Sequence, residues 1–331
     1  MTRPERDWGE IFVFGYQGLD PSAEFIEMVK SHQIGGIIFF EQNVETPAQL
    51  RKQIEEFQNK IGRPLFFMID QEGGRVNRIK RDFPLFPSNK VFGDGKDQAG
   101  VKDAYKTTAL ELKRLGINVN LAPVADVIRD ESDYMADRSF GSDPQSAGEF
   151  VRLAVDQMHS AGLFACAKHF PGIGNLKQDP HQVLPESNQG AEEFGRKDFV
   201  PFRTAVVSQV EMIMTTHVRC PALDEKEPAT FSSKIVDGIL RKTLGFEGLV
   251  VTDDMEMGGI VNYFGIEEAC GKAFLAGHDL ILLCHSQERQ ARVLEYFEKK
   301  IEMGEISEER IEQSVVSIRK YKQRLFQNVI A

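Results

Sequence analysis

Eight short apolar or β-branched runs recur along the chain, at residues 11–14, 36–40, 65–70, 119–126, 164–170, 212–218, 249–254 and 280–284. Each has the length of a strand, and no tight hairpin turn joins one to the next. Longer segments with helical periodicity lie between them. In the clearest, Ser232 and Ser233 offer N-caps, Ile235, Ile239 and Leu240 share a face, and Gly245 follows as the stop. Residues 144–162 repeat the pattern, with Phe150, Leu153, Ala154 and Met158 at helical spacing and Gly162 at the end. Near-continuous apolar strands alternating with helices imply parallel strands covered on their outer face. Eight such units without a Pro- or Ser-rich linker predict an α/β fold, a closed (β/α)8 TIM barrel forming a single domain over 1–331, rather than two doubly wound domains. No G-x-G-x-x-G follows the first strand, which argues against a nucleotide fold. A charged amphipathic helix at 307–326 is expected to pack on the barrel.

The chain carries 40 basic and 50 acidic residues in 331, a net charge of −10. That sign is wrong for binding nucleic acid or an anionic membrane through the overall field. Cys166, Cys220, Cys270 and Cys284 are widely spaced and form no C-x-x-C pair, so buried free thiols are expected rather than a zinc knuckle or a disulfide framework. The only apolar run near the N-terminus, 11–15, is too short for a signal-peptide core or a membrane span, which makes the cytoplasm the expected address.

A parallel barrel gathers its working residues at the C-terminal ends of its strands. Here the third strand ends in Asp70-Gln71-Glu72-Gly73-Gly74-Arg75, the fifth in Lys168-His169, the sixth in Thr216-His217 and the seventh in Thr252-Asp253-Asp254. Four ionisable endings converging on one mouth predict a polar pocket. The connection after the fifth strand runs from Pro171 to Arg196, against about 2 to 6 residues for an ordinary βα loop. It contains Asp179-Pro180-His181, where Pro180 restricts Asp179 to extended geometry. A carboxylate beside an imidazole fixes its tautomer and stabilises its protonated form, as a general acid/base near neutral pH requires.

These segments carry a resemblance. Lys168-His169-Phe170-Pro171-Gly172 followed by Asp179-x-His181-x-x-Leu184-Pro185 resembles the signature of the β-N-acetylglucosaminidases of glycoside hydrolase family 3. Ile69-Asp70-Gln71-Glu72-Gly73-Gly74-Arg75-Val76, Asn120 to Asp126, Arg138-Ser139-Phe140-Gly141 and Gly245 to Met255 are similar to that family in the same order. The resemblance implies a retaining enzyme that removes a terminal β-linked N-acetylglucosamine through a covalent glycosyl-enzyme, without metal or cofactor. It places the nucleophile at Asp253 with Asp254 behind it, although strand alternation alone leaves open which of the two points inward. It assigns the acid/base to His181, oriented by Asp179, on a long mobile loop that moves in over substrate. Asp70, Arg78, Arg138, Lys168 and His169 match the family's sugar-binding positions. Glu72 and Arg75 are expected to pair with each other, and Asp126 and His217 stand between scaffold and pocket.

One departure stands out. The family's Gly-His-Gly-Asp is replaced by Gly172-Ile173-Gly174-Asn175, which removes an imidazole and a carboxylate from the loop base. The resemblance further implies a monomer acting on peptidoglycan fragments in cell-wall recycling, with N-acetylglucosamine linked to an anhydro-muramyl unit as the carbohydrate substrate. Competing readings are another family 3 β-glycosidase or a phosphorolytic member, a metal-dependent barrel hydrolase using His169, His181, His217 and Asp253 as ligands, and a catalytically silent sugar-binding protein.

Overall fold

The computed structural model describes residues 7–129, 135–174 and 176–327. In chain order its strands are β1 (Phe12–Phe14), β2 (Gly36–Phe39), β3 (Phe66–Ile69), β4 (Gln71–Gly73), β5 (Val76–Asn77), β6 (Val119–Asn120), β7 (Phe164–Phe170), β8 (Met212–Thr215), β9 (Leu249–Asp254) and β10 (Leu280–Leu283). All but β4 and β5 are parallel and close into one barrel, because β1 pairs with β2 on one side and with β10 on the other. Each of the eight predicted runs supplies one barrel strand. Their residues are buried on both faces almost without exception, as strands filled from inside and covered by helices must be.

The helices form where caps and apolar spacing coincide. Asp143 accepts from the Ser146 amide and Pro144 occupies the first turn of the helix Pro144–Ser160, while Gly162 leaves the chain with φ +71°. In the helix Lys234–Thr243, Ser232 rather than Ser233 caps, accepting from the Ile235 amide, and the turns widen to i→i+5 bonds such as Leu244 N to Ile239 O. The last helix, Glu308–Gln327, lies against the short helical segment Asp7–Ile11 ahead of β1. Its Lys322 and Arg319 hold the buried Glu10 at 2.9 and 2.7 Å, just ahead of β1. No helix among the described residues is long and apolar enough to cross a membrane.

Two features differ from expectation and both serve the mouth. The fourth barrel strand is ladder-paired only at Val119–Asn120, after which the chain continues toward β7 through Ala125 N to Lys168 O and Cys166 N to Ala122 O. The loop after β3 folds back as the antiparallel pair β4–β5, turning through Gly73 and Gly74 at φ +96° and +57°. The Gln71 side chain closes this turn, accepting from the Arg78 and Ile79 amides and donating to the Ile79 carbonyl.

Candidate active site

The barrel mouth holds a cavity of about 470 Å³ lined by residues from seven barrel strands and the loops that follow them, among them Asp70, Arg138, Lys168, His181 and Asp253. One wall is an ion-pair network. Lys168, at the end of β7, reaches Asp70 at 2.7 Å and Glu72 at 2.6 Å. Arg78 meets the other Asp70 oxygen at 2.9 Å, and Arg138 grips both Glu72 oxygens at 2.9 Å. Burial would raise both carboxyls, but the facing cations win: Lys168 and Arg78 hold Asp70 well below the usual carboxylate range, and Arg138 with Lys168 holds Glu72 at about 2. The network therefore presents fixed charges of both signs to the cavity, suited to a ligand rich in hydroxyls.

His169 is set by what stands behind it. The buried Asp126 accepts from the His169 backbone amide at 3.2 Å, from its Nδ1 at 2.7 Å and from the Ile173 amide at 2.8 Å. Nδ1 thus carries the proton, and Nε2 accepts from Arg138 at 3.2 Å. Asp126 is scaffold, and so is His217, which is buried against Thr230 and donates from Nε2 to the Asp254 carbonyl.

Neighbouring backbone separates the two acids of β9. The Thr252 hydroxyl accepts from the Leu282 amide, and Asp254 accepts from the Cys284 amide at 3.2 Å and the Glu256 amide at 3.1 Å, with His285 at 3.1 Å. Residues 252 and 254 share one side of the strand, so Asp253 lies on the other. Both acids line the cavity, and the Asp253 carboxylate accepts from the amide of Asp254 at 2.8 Å.

The imidazole of the dyad lines the same cavity. His181 Nδ1 meets Asp179 Oδ1 at 2.6 Å, and the His181 amide donates to the same oxygen at 2.9 Å. Burial would raise the Asp179 carboxyl, but these two bonds and the nearby imidazole hold it below its ordinary value. The segment docks by backbone: the Gly258 amide donates to the His181 carbonyl and the Gly259 amide to the Pro180 carbonyl, each at 3.0 Å.

Comparison with known proteins identifies the family. The sequence pattern of the glycosyl hydrolase family 3 N terminal domain matches residues 9–320. The chain belongs to glycosyl hydrolase family 3. It is 33% identical over 282 residues to a β-hexosaminidase of Tolumonas auensis, covering 84% of each chain. A family 3 β-N-acetylglucosaminidase from Paenibacillus sp. superposes with a TM-score of 0.95 at 36% identity, over 98% of this chain and 63% of that one, so the chain spans less than two thirds of that relative. The β-N-acetylglucosaminidase of Thermotoga maritima superposes at 0.85 and 28% identity, covering 96% and 67%.

In this family 3 glycoside hydrolase the expected sugar-binding residues Asp70, Arg78, Arg138, Lys168 and His169 all line one cavity with His181 and Asp253. The expected Glu72–Arg75 pair is replaced. Both Glu72 oxygens go to Arg138 and Lys168, and Arg75 reaches Asp137 at 2.8 Å. Ile173 is buried at the loop base with its amide on Asp126, and Asn175 lies outside the described residues. Among the described residues no cluster of His, Cys, Asp or Glu is placed to hold a metal ion. Sequence reading missed Phe40, Glu256, Met257, Gly258 and His285, which complete the wall. His285 had a signal, since it immediately follows the eighth predicted strand.

Lys168 offers a test of the network. Lys168→Met removes the cation that bridges two buried carboxylates, leaving each only its arginine, and is expected to cost about 3 kcal/mol. The pH dependence has a definite sign. Because Glu72 in the wild type has a pKa of about 2, below its ordinary 4.5, its contribution is fully present above pH 4.5 and fades toward pH 2. In the variant both carboxyls take up protons at higher pH, so the deficit is largest near neutrality and shrinks below about pH 5. Thermal melts between pH 4 and 8 read this directly, and a deficit independent of pH would contradict it.

Proposed function

We propose that the protein is a retaining exo-β-N-acetylglucosaminidase in which Asp253 is the nucleophile and the Asp179–His181 pair is the acid/base. The observation that carries this reading is a carboxylate at the end of β9 facing the same cavity as an imidazole oriented by a carboxylate and a hydroxyl-gripping network. In the first step Asp253 attacks the anomeric carbon as the glycosidic bond breaks, and protonated His181 donates from Nε2 to the leaving oxygen. In the second, neutral His181 removes a proton from water, which attacks the same carbon and releases Asp253. Asp179 keeps Nδ1 protonated throughout and stabilises the imidazolium. Asp70, Arg78, Arg138, Lys168 and His169 hold the hydroxyls of a single terminal sugar.

The resemblance to β-hexosaminidases supports N-acetylglucosamine as that sugar, and an anhydro-muramyl unit of a peptidoglycan fragment is proposed as the leaving group. The barrel, whose strand ends and loops line the cavity, is proposed to act as a single catalytic domain and a monomer. The four cysteines, all buried and unpaired, fit a cytoplasmic setting.

Hydrolysis of the 4-nitrophenyl β-glycosides of N-acetylglucosamine and glucose, with and without EDTA, tests the reading. Selective cleavage of the N-acetyl substrate, unaffected by chelation, is expected. Absence of cleavage would leave a sugar-binding protein, loss on chelation a metal enzyme, preference for glucose another β-glycosidase, and dependence on phosphate a phosphorolytic one.

The docking of the dyad is open to a separate test. A β-carbon on Gly258 would stand 2.6 Å from the His181 and Gln182 carbonyl oxygens, so Gly258→Ala must push the segment away from the cavity. A fall of about 10²-fold in kcat is expected from such a displacement, with a nearly unchanged melting temperature. An unchanged kcat would show that this contact does not place His181.

A further inference from the structure

The loop that carries Asp179 and His181 leaves the barrel after Phe170 and returns at Gln189, just ahead of the helix Ala191–Arg196, and one buried carboxylate stands where its two ends meet. We propose that Asp198 is a positioning residue, whose ionised carboxylate ties the two ends of this loop together and so keeps His181 in place for proton transfer; this rests on the glycosidase reading above.

The tie is built from three directions. Asp198 stands immediately ahead of the helix Phe199–Val207, with its side chain fully buried. One of its oxygens accepts from Gln189 Nε2 at 2.8 Å, at the loop's return, and from Arg129, which arrives on the connection after β6. The loop's departure lies against the same side chain. A β-carbon on Gly172, whose φ is +119°, would stand 2.8 Å from the Asp198 β-carbon and 2.9 Å from Oδ1, so only glycine lets the chain pass this close. The Arg129 amide donates to the Gly174 carbonyl at 3.2 Å and the Ile173 amide to Asp126 at 2.8 Å, which fixes the same stretch. Asp198, Arg129 and Gln189 stand outside the lining of the catalytic cavity, and their reach to the chemistry is through the loop.

The charge on Asp198 is set to change in a useful range. Burial raises its carboxyl to about 6 against the pull of Arg129 and Gln189, and Asp126 adds a like charge nearby. The other ionisable groups around it are Glu193, which shares Arg129 at 3.2 Å and is itself held by Lys197 at 3.0 Å, and the Cys220 thiol, pushed up by burial. A proton on Asp198 removes the charge that Arg129 answers and leaves the guanidinium to the half-exposed Glu193. Charge-assisted hydrogen bonds are roughly twice as strong as neutral ones, so the tie slackens as pH falls through about 6. Because the shift is upward from 3.8, taking up this proton does not weaken the fold as a whole, and the neutral variant Asp198→Asn is expected to fold.

The test compares kcat/KM for N,N′-diacetylchitobiose, whose leaving oxygen needs a proton, with that for 4-nitrophenyl β-N-acetylglucosaminide, whose phenolate does not. It is run from about pH 5 to 8 in the wild type, Asp198→Asn and Gln189→Ala. Near neutral pH Asp198→Asn is expected to lower kcat/KM about tenfold or more on the disaccharide and less than about threefold on the aryl substrate. Gln189→Ala, which removes the loop's bond and leaves the charge, should move the same way, more weakly. In the wild type the ratio of disaccharide to aryl kcat/KM should fall as pH drops through about 6, whereas in Asp198→Asn it should start low and show no such fall. Fuller protonation of His181 over that range would raise the ratio, which makes a fall diagnostic of the tie. Equal losses on both substrates, an undiminished disaccharide rate in both variants, or a wild-type ratio that does not fall would overturn the proposal. A wild type that cleaves neither substrate would overturn the glycosidase reading, and this proposal with it.

Discussion

Asp253→Ala is expected to lower kcat by about 10⁴-fold or more with little change in KM, because it removes the group that forms the glycosyl-enzyme and leaves the sugar-gripping wall intact. Loss alone would not separate chemistry from misfolding, so the informative arm is rescue. Azide can enter the space vacated by the carboxylate and attack the anomeric carbon while His181 protonates the leaving oxygen. Turnover should then return with an α-glycosyl azide as product. Asp254→Asn makes the contrast. Asp254 accepts amides from Glu256 and Cys284 and pairs with His285, so its replacement should lower the melting temperature and gain nothing from azide. Azide rescue of Asp254→Ala in place of Asp253→Ala would exchange the two roles.

For His181→Ala the expected loss in kcat is about 10²- to 10⁴-fold on a saccharide leaving group, the range that a positioned acid/base supplies. It should be much smaller for the first step on a 4-nitrophenyl glycoside, whose phenolate departs without a proton. Turnover of that substrate then becomes limited by the second step, where the missing base slows attack by water, and the glycosyl-enzyme accumulates as a burst. Asp179→Asn should resemble a milder His181→Ala, since the ring survives and its tautomer and charge lose their partner. An effect of His181→Ala equal on good and poor leaving groups would remove it from proton transfer. Because the dyad sits on the long connection after β7, its closing over substrate is a further expectation, open to hydrogen exchange with and without N-acetylglucosamine.

Much of this was legible in the chain alone. Strand-length apolar runs alternating with capped helices are a local pattern, and eight of them without a break fit a closed barrel, in which side chains fill the inside, helices cover the outside and no edge strand is left unpaired. The mouth was legible for the same reason. Asp70, Lys168, His169 and Asp253 stand at strand ends, and a parallel barrel brings all such ends together. The Asp179–His181 pair was readable because its two residues are near neighbours along the chain.

What only the tertiary structure decided concerns groups distant in sequence. Glu72 sits three residues from Arg75 yet pairs with Arg138 and Lys168, because the β4–β5 turn re-aims the side chains that follow β3. Both acids of the Asp253-Asp254 pair line the cavity, and that Asp254 is the one tied to neighbouring backbone depends on the Cys284 amide after β10, whose position alternation along β9 does not carry. Asp126 became scaffold once three donors from the β7 region converged on it. Gly258, Glu256 and His285 entered the site because the loops after β9 and β10 line the same cavity as His181. Periodicity and caps are set by residues a few positions apart, whereas charge pairing and the direction of a side chain are set by whichever element packs alongside.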